Sequence, residues 1–172
     1  FNRSVLLLTF AINNAVGQID TFGYHLVNIT LHLCVGVVLY FLISQVLSLE
    51  NITIQPKLKN LPLVVSLIHL INPINVQAVT YISSRSSVLV TLFYLLSFYL
   101  LVRYRKINDR FINKWVFLFY PLTILLLFFL GLGTKEIIVT LPIIVVLYLW
   151  IESPKKKLQK FLPELLVIFI PL

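Results

Sequence analysis

The chain has very little with which to build a soluble surface. Only 12% of its 172 residues are charged, while 59% are hydrophobic and the mean hydropathy is +0.98; soluble domains carry about 25% charge. Six acidic residues face fourteen lysines and arginines, for a net charge of +8. One cysteine, Cys34, excludes an intrachain disulfide and, lying inside an apolar run, reads as packing. Methionine is absent, and neither a basic leader nor a small-residue cleavage pattern precedes the first apolar stretch, which argues against a signal peptide. Apolar runs recur to the last residue, so the chain is expected to be an internal piece of a longer membrane protein. The positive surplus does not point to nucleic acid, because the basic residues sit in short clusters between apolar runs and not along a face interleaved with aromatics. No solenoid-length repeat and no low-complexity segment is present.

What is there is a series of apolar runs. A helix needs roughly 20 apolar residues to cross about 30 Å of hydrocarbon, and the expected fold is an all-α polytopic transmembrane helix bundle. Spans are placed at 22–47, 58–73, 84–102, 115–133 and 136–151, with the start of a sixth at 161–172. The apolar parts of the second and fifth are short, so each must draw polar neighbours into the membrane zone. Residues 1–18 are too polar to cross and read as an interfacial amphipathic helix, with Gly17 to Gly23 turning the chain into the membrane.

Basic residues orient the bundle. Lys57 and Lys59, then Arg103, Arg105, Lys106, Arg110 and Lys114, then Lys155, Lys156, Lys157 and Lys160 fall in alternate connections, which assigns 48–60, 103–114 and 152–160 to the cytoplasm. Trp115 and Trp150 fall at the same boundary, where amphipathic rings favour the headgroup layer. Three cations, Arg3, Arg85 and Lys135, are left near the opposite face. An integral, multi-pass location follows: the plasma membrane in a bacterium, the endoplasmic reticulum in a eukaryote.

Three constellations lie toward that opposite face. In "YHLVNITLH", His25, Asn28 and His32 share one helix face, either for hydrogen bonding between helices or to line a polar cavity. Two histidines at this spacing, with His69 in another run, do not support a divalent metal, and no other cofactor is indicated. In "GLGTKEIIVTLP", Lys135 and Glu136 form either an internal ion pair or an anion site. In "INPINVQAVTYISSR", Pro73 breaks the helix, a short amphipathic segment follows, and Arg85 comes next at expected headgroup depth. There a guanidinium either snorkels to ordinary lipid phosphate or grips a dedicated anionic ligand with two parallel hydrogen bonds.

"FGYHLVNITLHL", "INPINVQAVTYISSRSSVLVTLFYLLSFYL" and "GLGTKEIIVTLP", in this order and spacing, resemble the membrane half of GT-C-fold glycosyltransferases linked to tetratricopeptide repeats, the TMTC-like protein O-mannosyltransferases and their bacterial relatives. The resemblance implies transfer of a mannose-like sugar from a polyprenyl-phosphate donor to a protein or glycan acceptor on the extracytoplasmic side. It implies that Arg85, Lys135 and Arg3 bind the donor phosphate, and that His25, Asn28, His32, Asn72, Gln77 and Glu136 line or orient the cavity. Asn72-Pro73 stands where the family has His-Pro, Gln77 where it has Glu, and Ser87 where it has an acid two residues after the arginine. The superfamily's catalytic carboxylate is expected before Phe1, so no catalytic residue is assigned and this piece alone is expected to be inactive.

Two further readings stand beside this one: a transporter or channel domain, and an inactive scaffold derived from the same fold. A transporter would carry polar groups through the middle of its spans toward both sides. Here they gather toward one side, while Gln77 and Ser87 suit a scaffold. The orientation is testable with Thr53→Cys, Asn108→Cys and Lys156→Cys, each in a Cys34→Ser background. All three are expected to resist impermeant thiol labelling from outside the cell; labelling of all three would reverse the topology.

Overall fold

The computed structural model describes residues 3–49, 59–108 and 114–152, and every regular element among them is helical. α1 (Ser4–Gly17), α2 (Thr21–Leu49), α3 (Leu61–Ile71), α4 (Val76–Thr80), α5 (Arg85–Asn108), α6 (Lys114–Leu132) and α7 (Leu141–Glu152) follow one another, with 3-10 turns at Pro73–Asn75, Ile82–Ser84 and Glu136–Thr140. The expected span start at 161–172 lies outside the described residues. So does most of each of the connections 48–60 and 152–160, and part of 103–114.

The helices have apolar residues all round, as expected of elements that face lipid or other helices and not water. Many large apolar side chains lie exposed, among them Leu33, Val37 and Phe41 on α2 and Leu122, Leu126 and Phe129 on α6. α5 is the hub. It packs on α2 along one side and on α6 along another, while α3 rests on α2. Between α5, α6 and the chain that follows lies the core of Val90, Leu101, Ile124, Phe128, Ile138, Leu141 and Val145. Phe98 and Tyr148 meet edge to face across it at 5.2 Å, the geometry aromatic quadrupoles favour. On the other side, Gly36 leaves room for Leu70 of α3, whose side chain lies where a β-carbon would stand.

Among the described residues, two helices are long and apolar enough to cross a membrane: Thr21–Ser48 and Ile82–Ile107. Leu61–Ile71 and Pro73–Thr80, bent by 51° at the break, make a third if counted as one span. The five crossings expected from hydropathy are therefore not supported; the helices account for two or three. The reason is local. Phe119–Leu132 and Glu136–Tyr148 are apolar but short, because the chain turns at Gly131–Lys135 and resumes as a 3-10 segment before α7 begins.

That turn also seats α1. The Gly133 carbonyl accepts the backbone N–H groups of Val5 at 3.0 Å and Leu6 at 3.3 Å, donors that the start of a helix leaves without an internal partner. A β-carbon on Gly133 would meet Val5 at 2.5 Å. Gly133→Val is thus expected to push α1 off its support and destabilise the protein by about 1–3 kcal/mol, the usual cost of overpacking. The detergent-solubilised protein should show a lowered melting temperature, and new proteolytic cleavage within α1 should accompany it.

Candidate functional site

The site is built where the chain between α3 and α5 breaks twice. Pro73 lacks an N–H and cannot continue α3, and Asn72 accepts a hydrogen bond from the Ile74 N–H through its side-chain oxygen at 3.0 Å, capping the 3-10 turn. α4 lasts five residues, Tyr81 is extended, and a second 3-10 turn delivers Arg85 as the first residue of α5.

Arg85 does not lie at a surface: it is 0% exposed. Its Nε donates to Asn28 Oδ1 at 2.9 Å, Nη1 to the Thr9 carbonyl at 3.2 Å and Nη2 to the Tyr24 carbonyl at 3.2 Å. The guanidinium carbon stands 4.6 Å from the Phe10 ring centre and 5.5 Å from that of Tyr24. No carboxylate pairs with it among the described residues. Desolvating an ion costs several kcal/mol. Three hydrogen bonds to a charged group, at about 1.5–3 kcal/mol each, and two ring contacts at up to about 2 kcal/mol are of the size needed to offset it.

Asn28, also 0% exposed, is the joint. Its oxygen serves Arg85 while its amide nitrogen donates to the Tyr81 carbonyl at 3.2 Å and toward that of Val79 at 3.5 Å. One side chain on α2 therefore ties the start of α5 to the end of α4.

An open groove of about 690 Å³ adjoins this joint, its walls including Phe10, Tyr24, His25, Tyr81 and Ser83. Beyond α4 lies a second, smaller cavity of about 140 Å³, whose lining includes His32, His69, Asn75, Ser87 and Thr91. The rings of His32 and His69 are 5.4 Å apart, centre to centre. His32 Nε2 lies 3.3 Å from the Leu70 carbonyl, a contact in which the ring nitrogen must carry the proton. Asn75 donates to the His69 carbonyl at 2.8 Å. Lys135, half-buried after the α6 turn, donates from Nζ to the Ser87 hydroxyl at 2.9 Å.

The stripe of His25, Asn28 and His32 thus shares a helix face but serves three places: the groove, the arginine joint and the small cavity. Lys135 and Glu136 do not pair; Glu136 is exposed and Lys135 turns toward α5. Asn72 acts as a local cap, and Gln77 and Arg3 are exposed. Sequence reasoning missed Thr9 and Tyr24, which act through backbone carbonyls, and Phe10, whose ring covers the guanidinium. It set His69 aside and named Ser87 only as a departure from a pattern. Among the described residues no three His, Cys, Asp or Glu side chains could together hold a metal ion.

Over 110 residues, 64% of the chain, the sequence is 34% identical to a Caenorhabditis elegans protein named as a protein O-mannosyl-transferase. The chain spans 15% of that relative's length. No protein-family model and no solved structure matches the chain.

Because Asn28 supplies an acceptor to a buried charge and donors to two carbonyls, Asn28→Leu is expected to destabilise the protein by about 1.5–3 kcal/mol or more. Asn28→Asp keeps the acceptor and loses the donors, so it should free the α4 segment while leaving Arg85 in place. Hydrogen exchange at residues 76–84 would rise in both variants, and exchange at the start of α5 only in the first.

Proposed function

We propose that the chain is the membrane-embedded portion of a glycosyltransferase that moves a mannose-like sugar from a polyprenyl-phosphate donor to a protein or glycan acceptor on the extracytoplasmic side of the membrane. The observation that carries this reading is that two cations, one from α5 and one from the turn after α6, are held at the first turn of α5. Arg85 begins the helix and Lys135 reaches Ser87, and both are met by neutral oxygen atoms, with no carboxylate partner among the described residues. Intramembrane cations ordinarily pair with acids, or mark a ligand path when they do not. Similarity to a protein named as a protein O-mannosyl-transferase supports the same class of chemistry.

In this reading the acceptor hydroxyl oxygen attacks the anomeric carbon. The bond from that carbon to the donor's phosphate oxygen breaks, and its electron pair leaves with the phosphate, while the hydroxyl proton passes to a carboxylate base of the full-length protein. Cations near the leaving phosphate favour the transition state over the ground state, because charge builds there as the bond breaks. Lys135 is the cation placed to contact the donor directly, with Arg3, exposed before α1, the second. Arg85, enclosed on all sides, contributes its field and holds Tyr24 and the α4 segment in the groove wall. His25, Asn28 and His32, with Asn72, Gln77 and Glu136, shape and orient the surroundings. Residues 3–17 lie along the membrane interface, and the basic connections face the cytoplasm. A scaffold without activity is the second reading, favoured by the uncharged Gln77 and Ser87.

The test is mannosyl transfer by the full-length protein, reconstituted with polyprenyl-phosphate-mannose and a peptide acceptor. Arg85→Lys is expected to lower turnover about tenfold or more, since a single ammonium cannot reach Asn28, Thr9 and Tyr24 with the directed geometry of a guanidinium. Absence of transfer from any polyprenyl-phosphate sugar would support the scaffold.

A further inference from the structure

At the other end of α5, roughly 27 Å of helix from Arg85 at about 1.5 Å per residue, stand cations that the proposed activity does not use. Arg103 is exposed and donates from Nη1 to the Tyr99 hydroxyl at 2.7 Å. The same guanidinium is hydrogen-bonded to Tyr120 of α6. Lys106, half-buried, donates from Nζ to the Ser48 hydroxyl of α2 at 2.8 Å. These partners are neutral, and neither cation meets a carboxylate among the described residues. Three residues apart, Arg103 and Lys106 share a face of α5, with β-carbons about 5–6 Å from each other. Arg105, between them in sequence, is buried on another side of the helix.

The contact between Lys106 and Ser48 also fixes a level. Ser48 ends the Thr21–Ser48 span and Lys106 is next to last in Ile82–Ile107, so the two long apolar helices stop at one depth. Below that level α2 leaves a strip open. Val37, Phe41, Ser44 and Ser48 recur at spacings of three and four, which is one helix face, and Val37 and Phe41 are 54% and 51% exposed. Tyr99 of α5 borders the strip, its ring 6.5 Å from that of Phe41, centre to centre. Val37 to Ser48 is roughly 16 Å of helix, about the depth of one leaflet in a hydrocarbon core of about 30 Å. An apolar strip one leaflet deep thus leads up to two neighbouring cations that have no counter-charge among the described residues.

We infer that this face of α2 and α5 binds one phospholipid of net negative charge from the leaflet at the Lys106 end. Arg103 and Lys106 hold its phosphate, and an acyl chain lies along Phe41 and Val37. Charge complementarity selects the occupant. A zwitterionic headgroup brings its own ammonium to the phosphate and leaves the two cations of the protein unbalanced, whereas an anionic headgroup offsets them. The two cations suit one phosphate in different ways. A guanidinium offers a fork of N–H donors, and an ammonium adds a point charge on a flexible stem. The hydroxyls of Tyr99 and Ser48 hold both heads beside each other at the end of the spans without neutralising them. Any basic segment near a membrane surface attracts anionic lipid; the strip beneath and the two preset heads above make this a site for a single molecule. Bound there, the lipid bridges α2 and α5, and such binding is independent of sugar transfer.

The experiment follows the melting temperature of the full-length protein in a nonionic detergent as dioleoyl-phosphatidylglycerol or dioleoyl-phosphatidylcholine is added to the micelles. Saturable stabilisation by phosphatidylglycerol, well beyond that by phosphatidylcholine, is expected. Glycerol phosphate, which lacks the chains, should have no saturable effect. Arg103→Gln with Lys106→Gln should weaken the phosphatidylglycerol response about tenfold to a hundredfold, as for loss of charge-assisted hydrogen bonds. Arg103→Lys with Lys106→Arg keeps both charges and should keep most of the response, which separates a headgroup site from damage to the contact between α2 and α5. Lys59, exposed ahead of α3, is the control for general charge attraction, and Lys59→Gln should leave the response unchanged. Equal stabilisation by the two lipids, a full response to glycerol phosphate, or a loss in Lys59→Gln or in the charge-keeping pair as large as in the glutamine pair would overturn the site. So would a response that depends on protein concentration and is indifferent to lipid charge, the mark of a second copy covering the strip. Because no turnover is read, a protein that binds the lipid yet transfers no sugar would sink the proposed activity and leave the site standing.

Discussion

A buried guanidinium with no carboxylate partner among the described residues is the constraint around which this bundle is organised. Arg85 is enclosed by α1, α2 and α5, and its hydrogen-bond acceptors are two main-chain carbonyls and one amide oxygen. Carbonyls of a helix interior are normally consumed by the i+4 N–H, so Thr9 and Tyr24 each serve through a second lone pair while their helices stay intact. That choice keeps the net charge of the cluster at +1. Had an aspartate taken the place of Asn28, the pair would be neutral and Asn28's donors to Tyr81 and Val79 would be lost. The amide is thus the one side chain of this size that can accept from the arginine and donate to the next segment at once.

The second consequence is positional. Arg85 is the first residue of α5, so whatever fixes the guanidinium also fixes where α5 starts. Two and six residues further on, Ser87 and Thr91 line the small cavity together with Val88, while Leu89 and Val90 are buried in packing. The α6 turn then brings in Lys135 from a different direction: the Gly131 carbonyl accepts from the Thr134 and Lys135 N–H groups, and the Thr134 hydroxyl bonds to it at 2.7 Å. Gly133, in the same turn, holds the start of α1, whose Thr9 returns to Arg85. α1, α5 and the α6 turn therefore close a loop of dependence in which each cation's position is set by the element that carries the other.

Much of this was legible in the sequence, but unevenly. The break at Pro73 and the single face shared by His25, Asn28 and His32 follow from residue type and period, and the helices respect them. The number of crossings did not follow, since hydropathy counts apolar residues without registering that a run is cut by a turn. The environment of Arg85 was illegible for a sharper reason. Its headgroup placement rested on the view that an intramembrane cation seeks water or phosphate, whereas the acceptors are backbone atoms that every residue type carries. Phe10 gives no signal of its own either. His69 looked unrelated to His32 because the two lie on different helices; their approach depends on α3 lying against α2, which Gly36 permits by leaving space for Leu70.

The uneven solvation of the two cations also decides which is free to change its partners. Arg85 has two ring faces and three oxygen atoms around it, and exchanging any of these for a new partner would first cost a hydrogen bond to a charged group, about 1.5–3 kcal/mol. Among the described residues Lys135 has one hydroxyl partner, and further acceptors can join a rotating ammonium without displacing it. A guanidinium fork is suited to holding a fixed framework, and an ammonium on a flexible stem to meeting something that arrives. The chain places the first inside, where its partners hold it, and leaves the second half-buried on a stem that can still turn.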